Sequence, residues 1–167
     1  MVSLDESSVD CGMTRRYGRA RKGERVGDHA PDSRFERTTV ISAVRLDGRH
    51  ATMVFKGALD GAAFGVYVRD VLAPILGEGD IVVMDNLAVH KVRGALEPIY
   101  GRGASVLFLP PYSPDFNPIE LCWSKMKASL RRLKARTYGG LVAAMKTALE
   151  EVTASDVSGW FRHCGYC

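Results

Sequence analysis

Three acidic residues stand beside apolar segments, at positions where a fold could bring their carboxylates together. Asp85 follows the apolar run 81–84, and Glu120 opens a segment with helical periodicity. Asp5 follows a shorter apolar run at residues 2–4. Carboxylates at strand and helix ends are suited to Mg²⁺ or Mn²⁺, which leave coordination positions open for phosphate and water. The pattern predicts metal-dependent phosphoryl transfer on nucleic acid.

Length and composition are those of one soluble globular domain. The chain has 167 residues, of which 46% are hydrophobic and 25% charged. No apolar run approaches the ~20 residues of a membrane span, and no signal-peptide pattern is present. The four cysteines lack the spacing of a disulfide framework, so we expect reduced thiols in a cytoplasmic protein. A net charge of +4 permits a nucleic-acid partner without requiring one.

The elements that would position the carboxylates predict an α/β fold, with a mixed sheet flanked by helices. Residues 1–5 are predicted to end a strand, and a long irregular segment over 6–37 follows. A hairpin is predicted over 38–56, turning at Asp47-Gly48, a dipeptide that suits a tight primed turn. Asp60 is suited to cap a helix that stops at Gly77.

A strand–helix–strand unit comes next. Residues 81–84 and 105–109 are predicted to form strands buried on both faces, joined by a crossover helix over 90–101. Asp85 would then lie at the carboxyl end of a strand, where open α/β sheets bind ligands. Asn117 and Pro118 suit the first positions of a further helix. Its predicted buried stripe consists of Ile119, Trp123, Met126, Leu130 and Leu133. Two more helices are predicted, over 139–151 and 155–163.

Three sequence blocks resemble the catalytic domain of DDE transposases of the mariner superfamily, on its bacterial insertion-sequence branch. The blocks are LDESSVDCGMTRRYGRARKGER, VVMDNLAVHK and LFLPPYSPDFNPIELCWSKMK. The resemblance implies an RNase H-like fold in which Asp5, Asp85 and Glu120 are the catalytic triad and the ligands of two Mg²⁺ or Mn²⁺ ions. It also implies cut-and-paste or related transposition, with insertion at TA dinucleotides.

The resemblance also sets expectations about the working protein. Members of the family carry helix-turn-helix DNA-binding segments ahead of this domain, and none precedes Met1 here. We therefore expect one catalytic domain over 1–167, completed by an upstream helix-turn-helix polypeptide, or else a truncated copy. A homodimer is expected for the active form, because two DNA ends must be brought together. Ala20-Arg21-Lys22 departs from the Ala-Pro-basic run expected in the first block.

Each carboxylate has a structural alternative. Asp85 could make a turn at a strand end, and Glu120 could close a capping box onto Asn117. Alternation along a strand lets only one of Asp5 and Glu6 face the site, and the resemblance selects Asp5.

Three further residues are predicted to support the ligands from a second layer. They are Asn86, His90 and Asn117. A direct imidazole ligand is disfavoured because Mg²⁺ prefers oxygen. His90 could instead contact a phosphate, or it could be a structural residue at a helix start without a role in the site. Trp123 is interpreted as a core residue.

Two basic groups are predicted to contact DNA phosphates. Six of the eleven residues from 15 to 25 are basic, a density that packing does not explain: Arg15, Arg16, Arg19, Arg21, Lys22 and Arg25. On the helix that begins near Asn117, Ser124, Lys127, Arg131 and Lys134 lie within roughly 40° of the azimuth of Glu120. Our hypothesis is that this basic ridge tracks the DNA backbone; a solvated helix face is the alternative.

Three functions remain open at this stage. The first is a transposase catalytic domain that cuts DNA and joins the cut ends. The second is an RNase H-like structure-specific nuclease that only cuts. The third is an inactive transposase remnant that binds DNA.

Overall fold

The computed structural model describes residues 1–15, 17–29, 31 and 35–166. This part of the chain contains a sheet of five strands in the order β3-β2-β1-β4-β5. The strands are β1 (Val2–Val9), β2 (Thr38–Arg45), β3 (His50–Lys56), β4 (Ile81–Met84) and β5 (Ser105–Phe108). β1 is antiparallel to β2 and parallel to β4, and β5 is parallel to β4. The predicted mixed sheet is therefore confirmed.

Five α-helices accompany the sheet in the described ranges. They are α1 (Gly61–Tyr67), α2 (Glu97–Tyr100), α3 (Ile119–Leu133), α4 (Tyr138–Glu150) and α5 (Ala154–His163). A π-helical turn (Val68–Leu72) and a 3-10 turn (Ala73–Ile75) extend α1, and two more 3-10 turns are Ala88–Lys91 and Pro114–Phe116. None of the helices described is long and apolar enough to cross a lipid bilayer.

The sheet separates two hydrophobic cores. Val2 and Leu4 of β1 pack with Phe64 of α1 on one face. Val9 packs with the buried side of α3, which includes Trp123, on the other face. Because side chains alternate along a strand, the residues of β1 divide between these faces, and α3, α4 and α5 cover the second one.

Local capping explains where several helices begin. The Asp60 carboxylate accepts a hydrogen bond of 2.8 Å from the Ala63 amide, which confirms the predicted cap of α1. The Thr137 hydroxyl caps α4 by accepting from Gly140. Thr153 and Asp156 form a reciprocal capping box at the start of α5. The helices predicted over 139–151 and 155–163 are confirmed, and no end of either helix differs from prediction by more than one residue.

Strand β1 and the hairpin differ from prediction. β1 does not end at Asp5 but runs to Val9, because β2 pairs with it along its whole length. The hairpin turn is not a tight primed turn, since four residues, 46–49, connect β2 to β3. Gly48 has a φ of +90°, whereas the φ of Asp47 is not positive. The Asp47 carboxylate instead accepts hydrogen bonds from Arg45 and Arg49, which stabilise the longer connection.

The predicted crossover helix over 90–101 is wrong. The chain forms a 3-10 turn, a turn at residues 93–96 and the four-residue α2 in its place. Gly94 lies in the left-handed region, with a φ of +79°, and Pro98 lacks the amide that a helix interior requires.

Two burial predictions are also wrong. β5 is an edge strand that pairs only with β4, so it is not buried on both faces, and Leu107 is 46% exposed. Leu133 is 39% exposed, because it is the last residue of α3. The other four residues of the predicted stripe on α3 are buried.

Candidate active site

Parallel pairing of two strands places Asp5 beside Asp85. Val2 pairs with Val82 and Ser3 with Val83. The same register, extended by two residues, puts Asp5 next to Asp85 just beyond the end of β4. The two aspartates thus reach one location from strands that are distant in sequence.

Glu120 reaches the same location because β1 holds the start of α3. The Ser3 hydroxyl donates a hydrogen bond to Asn117 Oδ1 and accepts one of 3.1 Å from the Ile119 amide. Asn117 Nδ2 also donates to the Leu4 carbonyl, at 3.4 Å. Ser3 therefore caps α3 from a neighbouring strand, and the first turn of α3, with Glu120, lies over β1.

The local alternative for Glu120 is not formed. Pro118 occupies the N-cap position of α3, and no side-chain capping bond is present there. Asn117 is buried, and its amide group serves the tether to β1 rather than a capping box. The Glu120 carboxylate is consequently available to the cavity that it lines.

One cavity of about 410 Å³ is lined by all three predicted catalytic residues, Asp5, Asp85 and Glu120. Two predicted supporting residues, Asn86 and Asn117, also line it. The remaining wall is formed by Leu87, Leu109, Pro110, Pro111, Tyr112, Ser113 and Pro114. The cavity thus has an acidic side and a largely apolar side.

Trp123, on α3, restricts the side chain of Asp5. The indole Nε1 donates a hydrogen bond of 3.0 Å to Asp5 Oδ2. Burial raises the pKa of Asp5 to about 7, with the charges of Glu6 and Glu120 acting in the same direction and the Trp123 bond opposing them. Trp123 is a buried core residue as predicted, but its second role was missed. Its position one turn after Glu120 on the same helix is the only signal that the sequence offered.

His90 holds Asp85 from the opposite side of the sheet. Its Nδ1 lies 2.8 Å from Asp85 Oδ1, and its ring is fully buried, with its centroid 4.7 Å from that of Phe64. His90 Nε2 lies 3.4 Å from Glu6 Oε2. The two groups are close enough for an ion pair, but they do not form a hydrogen bond. Glu6 therefore faces away from Asp5, and it belongs to the site through His90, a role that sequence reasoning missed.

The pKa values of this pair reflect their contact. Burial opposes ionisation of Asp85, but the His90 and Leu87 hydrogen bonds outweigh it and lower the pKa of Asp85. Burial likewise disfavours the charged form of His90, yet Asp85 and Glu6 raise the pKa of His90 to about 9. These contacts favour the protonated form of His90, which partly neutralises the two carboxylates beside it.

Glu120 also experiences the crowding of negative charge. Partial burial raises the pKa of Glu120; Lys127 opposes this shift, while the charges of Asp85 and Glu6 add to it. The acidic residues are therefore close enough to repel one another. A bound cation would relieve that repulsion.

The carboxylates fit a hard divalent cation, although their side chains do not surround one point. Among the described residues, no three His, Cys, Asp or Glu side chains are placed to hold one ion together. The three residues nevertheless offer only oxygen donors, which suit Mg²⁺ and Mn²⁺. One oxygen of Asp5 and one of Asp85 are held by Trp123 and His90, and the second oxygen of each remains for a ligand.

The predicted basic loop lies at the far end of α3. Its described members are all exposed: Arg15, Arg19, Arg21, Lys22 and Arg25. Arg16 lies outside the described residues. A hollow of about 640 Å³ is lined by Arg15 and Arg19 from the loop and by Arg132 and Lys134 from the end of α3. Arg132 was not predicted, since it does not share the azimuth of Glu120.

The predicted ridge on α3 is only partly formed. Lys127 and Arg131 are partly exposed along the helix. Lys134 lies beyond the helix in the left-handed conformation, with a φ of +51°, so helical geometry does not apply to it. Its ammonium contacts both carboxylate oxygens of Asp28, at 2.5 and 2.6 Å, which joins the basic loop to the end of α3.

A family model described as DDE superfamily endonuclease matches residues 1–141. No curated protein matches the chain. Among solved structures, the chain is similar to the Mos1 transposase paired-end complex with left transposon end, with a TM-score of 0.73 and 16% identity over 96% of this chain and 51% of that one. It is also similar to the catalytic domain of Mos1 mariner transposase, with a TM-score of 0.64 and 12% identity over 98% of this chain and 74% of that one.

A third similar structure is the mariner Mos1 paired end complex with Mg, with a TM-score of 0.67 and 18% identity. The chain covers 50% of that chain, so it spans about half the length of the transposase chains in these complexes. These likenesses establish the fold: a mixed sheet flanked by helices of the RNase H-like type, as the sequence predicted.

Proposed function

Because the chain belongs to the DDE superfamily endonuclease family, we propose that it is the catalytic domain of a transposase, which cleaves DNA strands and transfers the cut ends. The observation that carries the proposal is that Asp5, Asp85 and Glu120 line one cavity. Tertiary structure alone explains this meeting, since the three residues come from β1, the end of β4 and the start of α3.

Asp5, Asp85 and Glu120 would hold Mg²⁺ or Mn²⁺, and a pair of such ions supplies activation of the attacking oxygen and stabilisation of the leaving oxygen. The protein's own part is to place oxygen donors and restrict their rotation. Trp123 fixes one oxygen of Asp5, and His90 fixes one of Asp85. Such outer partners commonly raise ligand affinity by orienting the first layer. Water, and later a DNA 3′-hydroxyl, would be the nucleophile, so no side chain needs to form a covalent bond.

The basic hollow provides the second part of the proposal, a site for the DNA backbone. Arg15, Arg19, Arg132 and Lys134 line it, and Tyr17 stands among them with 91% of its surface exposed. Clustered Arg and Lys side chains bind phosphates regardless of sequence. Lys127 and Arg131 lie on α3 between this hollow and Glu120 and would contact the same backbone.

Further expectations about the working protein belong to the same proposal. The similar structures include a Mos1 complex with a transposon end and chains about twice as long as this one. We infer that this domain over 1–167 also acts on element ends and TA-containing target DNA, as a cytoplasmic homodimer joined to a helix-turn-helix part. We also propose that the chain comes from a bacterial insertion sequence, and this proposal rests only on the resemblance of the three sequence blocks.

A plasmid assay tests the proposal. The chain should nick supercoiled plasmid when Mn²⁺ is added, and Asp85→Ala should abolish nicking. Asp115→Ala is the matched control, since Asp115 is an exposed acid in the neighbouring 3-10 turn that does not line the cavity. Joining of a cut end to a second DNA separates a transposase from a structure-specific nuclease. Absence of nicking by the wild-type chain would support the remnant instead.

A further inference from the structure

Tyr112 combines complete exposure with a backbone conformation that bulky residues rarely adopt. Its side chain is completely exposed, with a relative exposure of 103%, and its backbone has a φ of +56°. Among the described residues, only Lys134 shares such a φ without being glycine. A bulky L-residue is strained in this region, and strain of this kind collects at functional sites. Lys134 adopts this conformation where α3 ends, whereas Tyr112 adopts it in the turn that follows the end of β5.

The residues beside Tyr112 hold it in place. Pro110 and Pro111 precede it and Pro114 follows, so the backbone on both sides has restricted φ angles. The Ser113 hydroxyl donates to the Pro111 carbonyl across the tyrosine, at 3.3 Å. A stiff backbone loses little conformational entropy when the residue that it carries binds a partner.

Tyr112 belongs to the apolar wall of the cavity that contains the three carboxylates. Leu87 stands on the same wall and is 43% exposed, although it follows Asp85 by only two residues. Leu109, which is nearly buried, and Pro110 also line the cavity. An apolar surface thus lies in the same cavity as the proposed metal site.

We propose that Tyr112 and this apolar wall form a stacking site for one unpaired nucleobase, next to the phosphate that the carboxylates and their ions would hold. The inference rests on the proposed function, because a phosphate at the acidic side of the cavity places an adjoining base at the apolar side. Stacking on an exposed aromatic ring is how proteins bind single-stranded bases without reading their sequence. In duplex DNA, a base would have to leave the base stack to reach this site, as it does in enzymes that extrude a nucleotide from a duplex.

Binding of two fluorescent oligonucleotides tests the inference. One is oligodeoxythymidine, and the other is a strand of the same length with abasic linkages, which keeps the phosphates and removes the bases. Affinities are measured by fluorescence anisotropy in Ca²⁺, which takes oxygen ligands. The wild-type chain should prefer the thymidine strand, and Tyr112→Ala should reduce that preference by about five- to a hundredfold, as expected for one stacked base.

Matched variants distinguish stacking from other roles. Tyr112→Phe should keep the preference, because the ring remains. Tyr100→Ala should also keep it, since Tyr100 is 53% exposed but does not line the cavity. A thermal unfolding curve of Tyr112→Ala close to that of wild type is expected, because the side chain is exposed.

Three results would overturn the inference. They are a wild-type chain without preference, a Tyr112→Ala variant that loses affinity equally for both strands, and a Tyr112→Phe variant that behaves like Tyr112→Ala. The nicking assay is read separately. Nicking with no base preference removes the stacking site and leaves the proposed function, whereas base preference without nicking removes the proposed function and leaves the site.

Discussion

Two residues outside the cavity restrict the side chains of the two aspartates inside it. Trp123 donates to Asp5 from α3, and His90 contacts Asp85 from the opposite side of the sheet. The arrangement leaves one oxygen of each carboxylate for a ligand. Without such partners, carboxylates that repel one another would turn apart. At the residue scale, the site therefore depends on donors that bind no metal themselves.

Substitution of Trp123 by Phe tests this dependence. The change keeps an aromatic ring in the core but removes the donor to Asp5, so we expect affinity for Mn²⁺ to fall about tenfold or more. Titration calorimetry measures the affinity, and an unfolding curve checks that the core is intact. Trp160→Phe is the control, because Trp160 also packs in this core and has no contact with Asp5. Equal Mn²⁺ affinity in the Trp123→Phe variant and wild type would contradict a positioning role.

The elements meet at the site because β1 contacts each of them. It pairs with β4 to bring Asp85, and its Ser3 caps α3 to bring Glu120. α3 is held in turn from its other side, where Lys125 lies 2.6 Å from Asp156 of α5. Asp156 also completes the capping box of α5 with Thr153. A substitution of Asp156 in α5 would therefore also remove a contact of α3, the helix that carries Glu120.

Asp156→Asn should destabilise the protein through this connection. The Lys125 and Thr153 hydrogen bonds lower the pKa of Asp156 to about 2, from a usual value of 3.8. Since the pKa is lowered by folding, the carboxylate stabilises the fold above about pH 4, and this contribution is lost as the pH falls towards 2. At pH 7 the variant should lose about 1 kcal/mol, as is typical for a helix cap.

Urea unfolding at pH 7 and pH 2 measures this effect. The difference between Asp156→Asn and wild type should be present at pH 7 and should shrink at pH 2, where about half of the wild-type carboxylate is protonated in the folded protein. Asp70→Asn is the control, because Asp70 is exposed and pairs only with the adjacent Arg69. A difference of the same size at both pH values would show that the charge of Asp156 is not responsible.

Across the whole molecule, α3 connects two regions of opposite charge. Its first turn carries Glu120 in the acidic cavity, and its end contributes Arg132 and Lys134 to the basic hollow. The distance between them is the length of a fifteen-residue helix, about 22 Å at 1.5 Å per residue. DNA bound to both regions would lie along α3, with its backbone in the hollow and one phosphate at the carboxylates.

The salt dependence of DNA binding tests this path. Replacing Arg15 and Arg19 by Gln should remove two phosphate contacts, so the slope of log affinity against log salt should fall by about 1.8 on duplex DNA. Lys127→Gln with Arg131→Gln should produce a similar fall if the middle of α3 also contacts the backbone. Arg69→Gln, an exposed arginine paired with Asp70, is the control. If the slope is unchanged in a double variant, the two residues replaced in it do not contact the DNA backbone.

The amino-acid sequence by itself predicted the three candidate carboxylates and most of the elements. Asp85 and Glu120 stand beside strong local signals, namely a continuous apolar strand and a helix start preceded by proline. The cap of α1 and four of the five residues in the predicted buried stripe of α3 likewise follow from spacing, because each depends on residues within a few positions. Asp5 was selected by resemblance, since alternation alone could not choose between it and Glu6.

Tertiary structure decided the rest, because those contacts join residues far apart in the chain. Ser3 caps a helix more than a hundred residues away, Trp123 bonds Asp5, and His90 lies between Glu6 and Asp85. The local pattern misjudged the crossover segment, where Gly94 and Pro98 interrupt a helix, and β5, whose burial depends on its place at the edge of the sheet. Tyr112 was not noticed in the sequence, since only the fold shows its ring exposed beside the carboxylates.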